Sequence, residues 1–205
     1  DLGAPGENIF STIPGGGYTP QAGDIFFDDM ESGDGNWSHT SNKYDWAIST
    51  EEYHSPDHAW SDSPITNYQI DTDAYLMIGS NIDLSGTTGQ DIRLGFWAKL
   101  DVETWWDFLF VEISGDAGSN WESIALLTGE ELDWDLYAYP IPEHFRTPQF
   151  RFRFYLQSDD TITGDGVHID DVGVGIGGGY STNLAYYDGT SMAAPPVTGA
   201  AALMA

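Results

Sequence analysis

The stretch Gln149-Phe150-Arg151-Phe152-Arg153-Phe154-Tyr155-Leu156 alternates without a break. Phe150, Phe152, Phe154 and Leu156 fall on one face and Gln149, Arg151, Arg153 and Tyr155 on the other, which is the period-two pattern of a half-buried β-strand. The same pattern recurs upstream. Ile92, Leu94, Phe96, Ala98 and Leu100 alternate with Arg93, Gly95, Trp97 and Lys99, and Leu109, Val111 and Ile113 mark the inner face of a third strand. Turn residues separate these runs: Ser85-Gly86, Gly115-Asp116-Ala117-Gly118 and Gly164-Asp165-Gly166. Short alternating strands with no helical pattern between them predict an all-β domain, an antiparallel jelly-roll β-sandwich.

One slip of phase interrupts the last strand. Val167 and Ile169 fall on odd positions but Val172 and Val174 on even ones, so the inward face changes at Asp170-Asp171. A β-bulge does this, and it would re-aim two adjacent carboxylates.

Working outward, the alternating zone is flanked by two segments of different character. The first, residues 1–20, is rich in Gly and Pro around a short apolar run from Ile9 to Ile13, and reads as loop, strand, loop. The last, residues 179–205, ends in SMAAPPVTGAAALMA, whose small, helix-forming residues predict a packed helix. The sandwich is expected over residues 21–178.

Composition bounds the partners. The 205 residues carry 33 acidic side chains against 6 basic ones, a formal net charge of −27, which opposes binding to nucleic acid or to an anionic membrane surface. Eight Trp, eleven Tyr and ten Phe supply material for a core. There is no cysteine, so disulfides, thiolate metal sites and a Cys nucleophile are excluded. No run approaches the ~20 apolar residues of a spanning helix. The opening DLGAPGEN lacks the basic and apolar regions of a signal peptide, so any targeting segment is expected outside this sequence.

The string Asp188-Gly189-Thr190-Ser191-Met192-Ala193-Ala194-Pro195 carries the sharpest chemical signal. A serine at a helix start lies near the positive end of the helix dipole, which favours an oxyanion, and Gly189 and Ala193 leave room for substrate. A lone Gly-Thr-Ser is equally an ordinary helix N-cap. The full string resembles the active-site serine motif of the subtilisin-like proteases, and DLGAPGENIFSTIPGGGY resembles the segment that precedes it there. The resemblance implies Ser191 as nucleophile in a fragment whose catalytic Asp, His and oxyanion-hole Asn would precede Asp1. It implies the remainder of that catalytic domain as a partner, peptide or protein as substrate, and a secreted or cell-surface location. Without a base the hydroxyl is a weak nucleophile, so the chain by itself is expected to be inactive. Pro196 departs from the pattern, which usually has His there. The five histidines, His39, His54, His58, His144 and His168, read as surface or core-rim residues.

The middle zone resembles the jelly-roll domains of the immune-inhibitor-A and MAM-like kind. The residues are Phe27-Asp28-Asp29-Met30-Glu31-Ser32-Gly33 with Trp37, Ala59-Trp60-Ser61-Asp62-Ser63-Pro64 with Tyr68, Ile82-Asp83-Leu84-Ser85, and Gly166-Val167-His168-Ile169-Asp170-Asp171-Val172. That resemblance implies a non-catalytic module, often binding Ca²⁺ or positioning substrate. Since first and last strands of a jelly-roll can lie side by side, a Ca²⁺ site is expected from Asp29, Asp62, Asp170 and Asp171, with Asp28 as a further ligand. The alternative is that these carboxylates cap turns or face water. Trp105-Trp106 and Trp134 are either a platform for a sugar or peptide or part of strand-edge packing. Glu130-Glu131 read as solvated charge. A function alternative to the protease fragment is therefore a Ca²⁺-stabilised accessory module that binds glycan or protein.

Overall fold

The computed structural model describes residues 9–12, 24–176 and 184–187. The chain divides into two compact units, Asp1–Thr19 with Tyr180–Ala205, and Pro20–Gly179. Strands are numbered along the chain. In the first unit β1 (Ile9–Thr12) pairs antiparallel with β13 (Leu184–Tyr187), Ile9 opposite Tyr187. The helix expected after Ser191, and Ser191 itself, lie outside the described residues.

The second unit is a sandwich of two antiparallel sheets. One runs in the order β10 (Glu130–Pro140), β7 (Ile92–Asp101), β12 (Gly166–Ile176), β5 (Ala59–Ser61), β4 (Ala47–Ser49), with β2 (Asp24–Asp28) also beside β12. The other runs β3 (Trp37–Ser41), β6 (Asp73–Ile78), β11 (Arg151–Gln157), β8 (Phe108–Ser114), β9 (Glu122–Leu127). Among the described residues the only helical element is a 3₁₀ turn at Glu143–Phe145.

The alternation seen in sequence is what builds the core. Phe150, Phe152, Phe154 and Leu156 are fully buried, and so are Ile92, Leu94, Phe96 and Ala98 from the facing sheet. The sheets interlock through rings: Phe96 meets Phe154 edge-on at 4.9 Å between centroids, and Trp37 meets Trp60 at 6.1 Å. Burying such side chains stabilises the fold by roughly 1.5–3 kcal/mol each.

The phase slip is a bulge. Pairing of β12 with β7 shifts between Asp170 and Gly173, and Asp171 takes a left-handed φ of 49°. On its opposite edge β12 changes partner at the same place: Ile169 faces Trp60 of β5, whereas Val172 faces Asp28 of β2. The bulge lets one long strand serve two short ones. At the start of β12, Gly166 has φ 99°, and a Cβ there would strike Asp62 Oδ1, so both conformation and space require glycine.

Candidate functional site

Strands β3, β6, β11 and β8 alternate in direction, so the end of β3, the start of β6, the end of β11 and the start of β8 meet at one pole of the second sheet. There the loops enclose a hollow of about 290 Å³ lined by Asn42, Asp71, Asp73, Trp106, Gln157, Ser158 and Asp159. The rim is fixed by hydrogen bonds. Asn42 Nδ2 donates to the Asp71 carbonyl at 2.8 Å, and the Asp73 amide donates to Asn42 Oδ1 at 2.8 Å. The Asp71 amide donates to the Asp159 carbonyl at 2.7 Å. Ser158 Oγ accepts from the Thr72 amide at 2.9 Å and donates to the Gln69 carbonyl at 2.8 Å. Tyr155 Oη donates to Asp73 Oδ1 at 2.5 Å and accepts from Gln157 Nε2 at 2.6 Å.

Trp106 stands beside this rim with 64% of its surface exposed, and Trp105 with 76%. For these two residues the packing alternative is therefore wrong: they reach solvent. Trp134 is half-buried, its ring edge-on to His54 at 6.1 Å. The loop bearing the two tryptophans is anchored from below. The Trp105 amide donates to Thr128 Oγ1 at 2.9 Å and the Asp107 amide to the Glu103 carbonyl at 3.0 Å. Asp107, fully buried, accepts from Tyr68 Oη and, at 2.8 Å, from the Asp159 amide. Burial raises the Asp107 pKa, against the lowering effect of those bonds. An exposed indole face beside amides, carboxylates and a hydroxyl suits a ligand with apolar faces and many hydroxyls.

On the outer face of the same sheet, Tyr75, Tyr155 and Phe110 lie in register across β6, β11 and β8. Tyr75 and Tyr155 stack at 4.3 Å, and Phe110 and Tyr155 at 5.3 Å. Arg153 lies 4.8 Å from the Tyr75 ring centre and 4.3 Å from that of Trp121, while its Nε donates to Glu112 at 2.6 Å.

The residues expected to bind Ca²⁺ are only partly brought together. Asp170 and Asp171, both buried, lie at the bulge with His54, one ligand atom of each within 4.8 Å of the others. Asp170 Oδ2 accepts the amides of His54 and Ser55, each at 2.8 Å. His54 Nδ1 lies 2.6 Å from Asp171 Oδ2, and its ring stacks on Trp97 at 3.8 Å. Ser55 Oγ reaches both Asp170 Oδ1 and the Asp29 carbonyl at 3.4 Å, which brings Asp29 to the cluster through its backbone. The Asp29 carboxylate caps the Glu31 amide at 3.2 Å. Asp28 is engaged elsewhere, by the Met30 amide at 2.9 Å, Asn36 Nδ2 at 2.8 Å and Trp37 Nε1 at 3.0 Å. Asp62 accepts the Val167 amide at 2.6 Å, at the far end of β12's pairing with β5.

Burial, and next the neighbouring Asp171, push the Asp170 pKa up to about 7. A cation would reverse that preference for the protonated form. Two carboxylates, a carbonyl and a hydroxyl are the oxygen donors a hard cation prefers, and His54 is the one nitrogen among them. His54 and Ser55 were not singled out by the sequence, because they reach the cluster from a loop more than a hundred residues away. His168, read as a rim residue, is buried, its Nε2 3.2 Å from Asp165 Oδ2.

No family model matches the chain, and no curated protein matches it. Solved structures do. The K3 cleaved adhesin domain of Lys-gingipain from Porphyromonas gingivalis superposes with a TM-score of 0.54 at 16% identity, covering 74% of this chain and 98% of that one. The K2 adhesin domain of Lys-gingipain gives 0.51 at 13% identity, over 73% and 98%. The CBM22-1–GH10 modules of Clostridium thermocellum endo-1,4-β-D-xylanase 10B, complexed with xylohexaose, give 0.50 at 14% identity, over 76% of this chain and 29% of that one. At these identities the likeness concerns the fold. It nevertheless corrects the protease reading. The resemblance to subtilisin-like proteases rested on two short terminal segments, no family model supports it, and the fold matches adhesin and carbohydrate-binding sandwiches instead. The serine-protease activity falls with it, and neither the flanking subtilisin-like helix nor a partner catalytic domain finds support; Ser191 lies outside the described residues. What the described chain shares with known structures is the architecture of an all-β sandwich module.

Proposed function

We propose that the Pro20–Gly179 unit is a non-catalytic carbohydrate-binding module of a secreted or surface-exposed protein, with its ligand seated in the hollow beside Trp106. The observation that carries this reading is the exposed Trp106 indole at the rim of a preformed hollow whose other lining groups are amides, carboxylates and a hydroxyl. A pyranose ring offers an apolar face to the indole and hydroxyls to Asn42, Asp73 and Gln157, which can accept and donate together. Neighbours in fold include adhesin domains and a module crystallised with xylohexaose, in keeping with this class. Asp170, Asp171 and the Asp29 carbonyl hold a structural Ca²⁺ at the bulge, and the flanking segments form a separate unit outside the module.

Titration calorimetry of the chain against a panel of soluble oligosaccharides tests the site. Trp106→Ala is expected to weaken binding of any ligand found by about tenfold or more. Its melting midpoint should stay unchanged, because the ring contributes little to the core. Absence of binding across the panel, or an unaltered affinity in Trp106→Ala, overturns the proposal.

A further inference from the structure

We infer that Trp105 carries a second sugar subsite beside the hollow, so that the module recognises a run of several residues of a glycan chain; this rests on the carbohydrate-binding reading above. The hollow encloses about 290 Å³, at the small end of ligand sites, so a longer ligand must leave it. Trp106 lines its rim, and the adjoining residue, Trp105, is 76% exposed. Among the described residues no ring contact or side-chain hydrogen bond occupies the Trp105 indole.

The backbone accounts for two consecutive rings in solvent. Neighbouring side chains of an extended strand point to opposite faces. Trp105 instead takes a left-handed φ of 69°, which breaks the alternation: both indoles reach solvent, while Asp107 turns fully inward. A bulky residue in this conformation costs stability that Gly or Asn would not, so the fold keeps the ring exposed against its own stability. Two features clamp it there. The Trp105 amide donates to Thr128 Oγ1 at 2.9 Å, and that hydroxyl donates to the Glu103 carbonyl at 3.3 Å. Gly129, with φ 93°, lets the turn after β9 close on Thr104, where a Cβ would lie 3.2 Å from Thr104 Oγ1. The turn between β9 and β10 thus braces the tryptophan loop, and Thr128 is a positioning residue acting through Trp105. An indole fixed just outside the hollow offers an apolar face to the sugar that follows the one over Trp106.

Titration calorimetry of the full chain against cello-, xylo- and manno-oligosaccharides, from the disaccharide to the hexasaccharide, tests the subsite. In the series that binds, affinity is expected to rise about tenfold between disaccharide and tetrasaccharide and to change little beyond. Trp105→Asn, which suits the left-handed backbone, should abolish that rise, leave the disaccharide unaffected and keep or raise the melting midpoint. Thr128→Val should lose part of the rise and Thr128→Ser keep it; an unchanged rise in Thr128→Val overturns the positioning role. An affinity independent of length, or a rise kept in full by Trp105→Asn, overturns the second subsite, and the carbohydrate reading stands where Trp106→Ala still weakens binding. A lowered midpoint in Trp105→Asn shows the ring to be part of the packing and also overturns the subsite. Failure of every oligomer overturns both.

Discussion

Asp62 offers a sharp test of how burial governs this fold. Its side chain is sealed beneath the start of β12, where Oδ1 accepts the Val167 amide at 2.6 Å and Gly166 leaves no gap beside it. Burial pushes the pKa from 3.8 to about 7, the hydrogen bonds from Val167 and Ser63 offsetting it only in part. The folded state therefore keeps a proton that the unfolded chain releases. Because the folded form binds more protons between about pH 4 and pH 7, stability falls as pH rises through that window and levels off above it. At 1.36 kcal/mol per unit the loss approaches about 4 kcal/mol.

Asp62→Asn removes the titration while keeping a carbonyl oxygen to accept the Val167 amide. Near pH 4, where the folded carboxyl is already neutral, the variant should match the parent; near pH 8 it should be more stable by about 4 kcal/mol. Urea unfolding at closely spaced pH values, with EDTA present, gives the difference directly. Asp170 slopes the same way, with a pKa also near 7, but it is common to both proteins and cancels. Stability curves that stay parallel from pH 4 to pH 8 would falsify the argument.

Two further outcomes follow from the same geometry. Ca²⁺ at ~100 times its dissociation constant should stabilise the chain by about 2.7 kcal/mol over EDTA, where Mg²⁺ or added NaCl does not, and Asp170→Ala should abolish the response. That response should strengthen as pH rises towards 7, since the cation displaces a proton from Asp170. A chain of residues 24–176 should melt cooperatively with the midpoint of the parent, because every strand and core residue of the sandwich lies within it. A broad transition would show that the module depends on its flanks.

The strands were legible because their signal is local. Phe150 to Leu156, Ile92 to Leu100 and Leu109 to Ile113 declare their inner faces within a few residues, and the mismatch between Ile169 and Val172 located the bulge. Convergence was less legible. Asp28 and Asp62 looked like ligands by type and neighbourhood, yet the structure spends their oxygens on Trp37, Asn36 and Val167. His54 and Ser55 carry no distinguishing pattern, and only folding brings them to Asp170. The hollow draws on residues from Asn42 to Asp159, a separation no local period can reveal. The Ser191 string shows the limit of reading a short motif: it specifies chemistry only in a structural context, and that of Ser191 lies outside the described residues.

The aromatic row on the second sheet shows why the ligand site belongs at the pole. Tyr75, Tyr155 and Phe110 look in sequence and register like a stacking platform. Their faces, however, are turned on one another at 4.3 and 5.3 Å, so what they present outward is ring edges. Arg153 completes the closure by covering Tyr75 and Trp121 while Glu112 neutralises it. A sugar laid there would have to break stacking and an ion pair to gain stacking. At the pole that competition is absent. Trp106 is held by its loop and has no ring partner among the described residues, and Asn42, Asp73 and Ser158 around it are oriented by hydrogen bonds. The rigid sheet thus supplies alignment, and the loops at the ends of its alternating strands supply the free surfaces.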